Sequence, residues 1–332
     1  MKKILNSPEN ALADCLSGFV KAHPDIVSSG GSGRHIIRKQ KKANGKVAII
    51  SGGGSGHEPM HAGFVGEGML DAACPGEVFT SPTPDQMIAA AEDVDCGAGI
   101  LFIVKNYAGD TMNFEMAADM YSGKTETVTI DDDVALLNTQ NSNQQGNRGV
   151  AGTIIVEKIV GASAERGASL AECASIGNAV NAATASMAVG LSSCTVPAVG
   201  EPTFSLSDNE IELGVGIHGE AGRERTVIKS ADELAEIFLE SILPKVDAKP
   251  STPLLLLCNG LGGTPALELY VLYNSAAQIL KKMGHTVVRS LVGNYCTSLE
   301  MAGASLTVTK LNDNYLRLWD APVKTVSLRW GL

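Results

Sequence analysis

The sequence predicts an α/β protein of two domains, and three observations carry that prediction. Short apolar runs alternate with longer segments of helical periodicity, the pattern that builds a largely parallel sheet in the first domain. The length, 332 residues, exceeds what one hydrophobic core usually organises. The stretch "CTVPAVGEP" (194–202) has the proline and glycine content of a linker. It divides the chain into an N-terminal α/β domain, residues 1–190, and a smaller α/β domain, residues 191–332.

The elements follow in order. "SPENALADCLSGFVKA" reads as a helix, with Ser7 as N-cap and Pro8 in the first helical position. "KVAII" is a short buried strand that runs into the glycine-rich "SGGGSG", and a helix is expected to start near Pro59. "SPTPDQMIAAAEDV" is a capped helix, "GILFIV" a buried strand, and "DTMNFEMAADMY" a helix with Asp110 as its N-cap. "TETVTI" is a further strand. The polar run Asn138–Gly149 reads as a surface loop, and two helices are expected over roughly 151–166 and 168–184. In the second domain "NEIELGVGIHGE" is a strand, "SADELAEIFLESIL" a helix, "PLLLLC" a strand and "TPALELYVLYNSAAQILKKM" a long helix. "PKVDAKPSTP" has the composition of an exposed connection.

Composition narrows the function classes. A formal charge of -10 argues against nucleic-acid binding, which needs a basic surface. No apolar run reaches the roughly 20 residues of a bilayer span, and the N-terminal segment does not read as a secretory signal. The seven cysteines are scattered without a C-x-x-C pair, which suits reduced thiols in a cytoplasmic protein.

"SGGGSGHEPMH" (51–61) poses the main question of chemistry. It lacks the lysine of a Walker loop, and His57 stands where a dinucleotide fingerprint needs its third glycine. "HEPMH" matches the zinc-peptidase pattern in its letters. That chemistry, however, needs both histidines on one formed helix, and Pro59 lies between them with no third ligand evident. A glycine turn at the carboxyl end of a parallel strand can bring backbone N–H groups to a small polar ligand, or be a tight turn only. Lys105 and Asp110 flank the end of "GILFIV", where α/β sheets carry their sites. Each also has a plainer reading, as a solvated charge and a helix cap. Alternation along "NEIELGVGIHGE" sets Glu212, Gly214, Gly216 and His218 on one face, leaving open space beside the histidine. A structural histidine fits that pattern equally. "IDDDVAL" could hold magnesium, although three acids at a strand end more often form a solvated turn.

These segments, with "CPGEVFTSPTPD", "SCTVPAVGEPTF" and "YCTSLEMAG…LWDAP", resemble the dihydroxyacetone kinases, in order along nearly the whole chain. "SSGGSGRHIIRK" and "NTQNSNQQGN" carry little of the family pattern, and "NGLGGTP" has an extra glycine. The resemblance implies that His218 attacks the ketone of dihydroxyacetone and holds it as a hemiaminal. It further implies that His57 and Asp110 contact the substrate hydroxyls as catalytic residues, and that Gly54, Ser55, Gly56 and Lys105 line the pocket. "HEPMH" is then an accidental match, with no metal bound. The chain is too short to include the nucleotide domain fused in ATP-dependent members. It therefore resembles the dihydroxyacetone-binding (K) subunit of the phosphotransferase-system type, a cytoplasmic homodimer with no cofactor of its own. ADP/ATP with magnesium is expected on an L-type partner subunit, recharged by a phosphoryl-carrier protein. The family also contains idle paralogues that sense dihydroxyacetone and coactivate a transcription regulator.

Overall fold

The computed structural model describes residues 2–40, 45–137 and 147–331. Most of the polar run expected as a surface loop lies outside them. The chain forms two compact units, each assembled from separated stretches. The first takes Met1–Ile130, Ile154–Ala179 and Arg317–Leu332, and the second Asp131–Thr153 and Val180–Leu316. The sequence reading placed one boundary at 190/191; the chain passes between these units at four points.

In the first unit a six-stranded sheet runs in the order Val27–Ser29, Ile36–Arg38, Ala72–Val78, Ala48–Ser55, Ile100–Lys105, Thr125–Ile130. The last four strands are mutually parallel, and the first two add antiparallel. Ala48–Ser55 and Ile100–Lys105 are buried along their whole length, as central parallel strands must be when both faces are covered. Helices Pro84–Val94 and Ala108–Met120 pack Met87, Ala90, Phe114 and Ala117 onto one face, around Ile50 and Phe102. Phe114 meets Phe102 edge to face at 5.5 Å, and burying a side chain of that size is worth about 1.5–3 kcal/mol.

The second unit has a sheet in the order Glu224–Val227, Glu210–Leu213, Thr184–Gly190, Gly303–Lys310, Pro253–Gly260, Thr286–Gly293. Only its final pair is parallel. Helices Ala231–Val246 and Ala266–Lys282 close its core through Phe238, Leu239, Ile242, Leu272 and Leu280. Ser230 and Glu233 form a reciprocal capping box that fixes where the first of these helices starts.

Five local expectations are corrected. The first helix spans Ala11–Ala22, because residues 8–10 form a turn in which the amide of Asn10 donates to Ser7 Oγ. No helix starts at Pro59: the segment is a turn leading into a single 3-10 turn, Ala62–Phe64. Asp110 is not an N-cap, since the helix starts at Ala108 with Tyr107 in the cap position and Asp110 in its first turn. The strand Glu210–Leu213 stops well before His218, because Gly214 takes φ +78°, a left-handed conformation that ends regular pairing. Helix Ala231–Val246 also continues past Pro244 into the expected connection.

Candidate active site

The glycines of "SGGGSG" do not form a turn; Gly52, Gly53 and Gly54 extend the strand Ala48–Ser55. What they provide is close approach. A Cβ on Gly54 would lie 2.5 Å from the amide nitrogen of Thr80, and one on Gly53 would lie 2.2 Å from Lys105 Nζ. Lys105, the last residue of its own parallel strand, is thereby drawn fully under the glycine backbone. The plain reading of it as a solvated charge is overturned.

Lys105 is the hub of a buried polar chain. Its Nζ donates to the carbonyl of Gly52 at 3.1 Å, faces His61 Nε2 at 3.0 Å, and pairs with Asp110 Oδ2 at 3.4 Å. On its far side, His61 Nδ1 lies 2.6 Å from Glu157 Oε1 and 3.0 Å from Ser51 Oγ. Ser51 Oγ in turn donates to the carbonyl of Ile103. Burial, with the charges of Lys105 and His57 beside it, holds the His61 imidazole well below its ordinary range, so the ring is neutral. Burial also pushes the Glu157 carboxyl up to about 8, against the opposing pull of Ser51 and Lys105.

His57 follows the strand at a bend. Its ring is buried and stacks on Phe79, centroids 5.1 Å apart and planes 16° from parallel. Phe79 adopts φ +57°, a conformation that lets its amide close onto the carbonyl of Ser55. The amide of Gly56 donates to the Glu58 carboxylate at 3.1 Å. Gly54 and Ser55 also border a cavity of about 400 Å³, with Phe19, Pro59 and His61 on its walls. Its character is apolar, and His57, Lys105 and Asp110 are not among its lining residues.

In the second unit, His218 sits in a turn with its side chain 20% exposed. Glu220 grips it twice: Oε2 accepts from the backbone amide of His218 at 2.9 Å, and Oε1 lies 2.7 Å from Nδ1. A hydrogen on Nδ1 shared with a carboxylate leaves the ring's lone pair on Nε2, the atom available for attack on a carbonyl carbon. Burial raises the Glu220 carboxyl, but the hydrogen bond and charge of His218, with Arg148 nearby, outweigh it and hold the group at about 2. The space expected beside His218 is filled. A Cβ on Gly216 would meet the Glu220 carboxylate at 2.0 Å and Arg148 at 2.8 Å, so this glycine makes room for protein groups. Arg148 donates through Nε to Asp133 Oδ2 at 2.7 Å and through Nη2 to the carbonyl of Gly214 at 2.8 Å.

The acids of "IDDDVAL" are also not a solvated turn. Asp132 is buried, accepting from the amides of Val150 and Gly152 at the start of helix Gly152–Glu165 and from Ser186. Among the described residues no group of three or more His, Cys, Asp or Glu side chains could hold a metal ion. No described helix is long and apolar enough to cross a membrane, and the seven cysteines are free thiols.

Sequence reasoning missed His61, Glu157, Glu220 and Arg148. The Glu157–Lys158 pair carries a usable signal, two adjacent charges inside the otherwise uncharged "GTIIVEKIVGASA". Glu220, two residues beyond His218, becomes legible only once the segment is read as a turn.

Comparison with known proteins agrees along the whole chain. Residues 17–327 match the Dak1 domain. The chain is 48% identical over 331 residues to the dihydroxyacetone-binding subunit DhaK of PTS-dependent dihydroxyacetone kinase 1 from Listeria innocua, covering 98% of this chain and 100% of the relative. It is 44% identical over 358 residues to the dihydroxyacetone-binding subunit DhaK of the PEP-dependent dihydroxyacetone kinase of Escherichia coli, covering all of both. Among solved structures, the dihydroxyacetone kinase operon co-activator DhaQ superposes with a TM-score of 0.89 at 30% identity, over 95% of this chain and 97% of that one. The chain belongs to the Dak1 domain family, together with the DhaK subunits of dihydroxyacetone kinases.

Proposed function

We propose that this chain is the dihydroxyacetone-binding subunit of a phosphoenolpyruvate-dependent dihydroxyacetone kinase. The observation that carries the reading is its likeness, end to end, to two subunits of that name. The grip of Glu220 on His218 supports the chemistry. In this reading the Nε2 lone pair attacks the carbonyl carbon of dihydroxyacetone. A C–N bond forms, the π pair moves to the oxygen, and that oxygen takes up a proton to give a hemiaminal. The imidazole becomes cationic, and the Glu220 carboxylate on Nδ1 offsets that charge. Glycerol has no carbonyl and is not captured.

Asp110 then accepts the proton of the hydroxyl that attacks the phosphoryl group, and His57 orients that hydroxyl or shares the role. Gly54, Ser55, Gly56 and Lys105 border the triose. The phosphoryl donor is a nucleotide with magnesium on an L-type partner subunit, recharged by a phosphotransferase protein, and this chain acts as a homodimer. Being named a subunit, each relative works with other chains, which supports a separate nucleotide carrier.

Native mass spectrometry with dihydroxyacetone tests the capture step. One triose adduct per chain is expected, absent with glycerol and in His218→Ala. An undiminished adduct in that variant means another residue is the nucleophile. A second reading, a dihydroxyacetone-sensing coactivator, is favoured by the superposition on DhaQ. Reconstitution with the L-type partner and phosphoryl relay separates the two, because a sensor yields adduct but no dihydroxyacetone phosphate.

A further inference from the structure

The buried chain behind Asp110 contains two titratable groups, His61 and Glu157, that the reaction described above does not use. Their geometry is restrictive. An ammonium can only donate, so Lys105 Nζ, 3.0 Å from His61 Nε2, requires that nitrogen to be the ring's acceptor. The ring hydrogen must then sit on Nδ1, where Glu157 Oε1 at 2.6 Å and Ser51 Oγ at 3.0 Å receive it. The hydroxyl of Ser51 is itself committed to the carbonyl of Ile103 at 2.7 Å, so its oxygen is oriented to accept. Lys105 thus faces three acceptors with three hydrogens: Gly52 O, His61 Nε2 and Asp110 Oδ2. Removing one acceptor frees the ammonium to turn away from the carboxylate.

We propose that Glu157 is a positioning residue for phosphoryl transfer, acting through His61 and Lys105 to hold Asp110. It fixes the Nδ1–H tautomer of His61, which fixes Lys105 Nζ, which fixes Asp110. The inference rests on Asp110 being the base in the proposed function. The neutral acid serves the role as well as the carboxylate, because Oε1 accepts in both forms. The other groups facing the chain are His57, whose charge acts on His61, and Asp110 itself. Glu157 Oε2 has no hydrogen-bond partner among the described residues, so one oxygen of the carboxyl accounts for its contacts there.

The wild-type protein gives the first test, without any variant. Nitrogen-15 NMR of the His61 ring between pH 6 and 8 should report a hydrogen on Nδ1 and a bare Nε2. An Nε2–H tautomer would overturn the proposal outright. Kinetics then compare Glu157→Gln, whose amide oxygen can still accept, with Glu157→Leu, which cannot. In Glu157→Leu kcat should fall about a hundredfold with KM little changed, the usual cost of a small displacement of a reacting group. The acid limb of its kcat–pH profile should also move. Glu157→Gln should restore most of kcat and the wild-type profile. If Glu157→Leu binds triose and turns over with wild-type kcat and profile, the positioning role is wrong and the proposed function stands. Should Glu157→Leu fail to fold, the NMR assignment and Glu157→Gln still decide: loss of the Nδ1–H tautomer in the Gln variant with unchanged kcat overturns the proposal. If wild type makes no dihydroxyacetone phosphate with its partner, the kinase reading fails on its own terms, and a positioning role in transfer falls with it.

Discussion

Two histidine–glutamate pairs of nearly equal length carry opposite electrostatics. His61 and Glu157 approach to 2.6 Å and His218 and Glu220 to 2.7 Å. The first pair is sealed, with side chains 4% and 0% exposed; the second is open, at 20% and 36%. Burial drives Glu157 up to about 8, whereas His218 and Arg148 outweigh the partial desolvation of Glu220 and hold it at about 2. Distance therefore says little about charge state; solvent and neighbouring charges decide it. The sealed pair suits fixing a tautomer beside the buried Lys105 ammonium, and the open pair suits the capture role proposed for His218, in which Glu220 would offset the charge that develops on the ring.

The largest effect should come from separating capture from transfer. Asp110→Asn should still form the adduct while kcat drops by about 10²–10⁴, the usual contribution of a general base. Turnover at the wild-type rate would reduce Asp110 to an ordinary first-turn acid. Next, Glu220→Ala should weaken the adduct by about tenfold to a hundredfold, the cost of one lost charge-assisted hydrogen bond. Titration by native mass spectrometry reads this, and unchanged capture would show that the open pair is no better suited to capture than the sealed one.

Stability against pH sharpens the contrast further. A carboxyl raised in the folded state binds its proton more tightly there. Glu157 thus costs stability progressively as pH rises from about 4.5 to about 8. Glu157→Gln should melt roughly 2–4 °C above wild type at pH 8.5, with the gap closing by about pH 4.5. The opposite sign holds for Glu220, which is depressed: its contribution is present above its ordinary 4.5 and is lost as pH falls towards 2. Wild type should therefore melt slightly above Glu220→Gln at pH 6, and the difference should vanish by about pH 2. Calorimetry across the series would expose either sign if it is wrong.

Much of this was legible in the chain. Alternating apolar runs gave the parallel strands Ile100–Lys105 and Thr125–Ile130 and the helices Pro84–Val94 and Ala266–Lys282 nearly to the residue. Strand burial and helix periodicity are local properties of sequence. The glycine segments misled for the reverse reason. Whether Gly53 means a turn, a ligand or a lysine beneath it depends on Lys105, 52 positions away, and nothing near Gly53 encodes that. His61 and Glu157 meet across 96 positions, beyond any spacing rule. At Gly214 a single left-handed residue cancelled the period-two reading of the next four positions.

The interleaving of the two units bears on how the protein is made. The second unit draws only on residues 131–153 and 180–316, so all its parts emerge from the ribosome before the Arg317–Leu332 segment does. The first unit starts earlier and finishes later, because Val323–Thr325 must return to pair with Gly66–Glu67. During synthesis the later-encoded unit can therefore close first, while the first unit, whose six-stranded sheet carries Lys105, still lacks Val323–Thr325, the central strand of its separate three-stranded sheet.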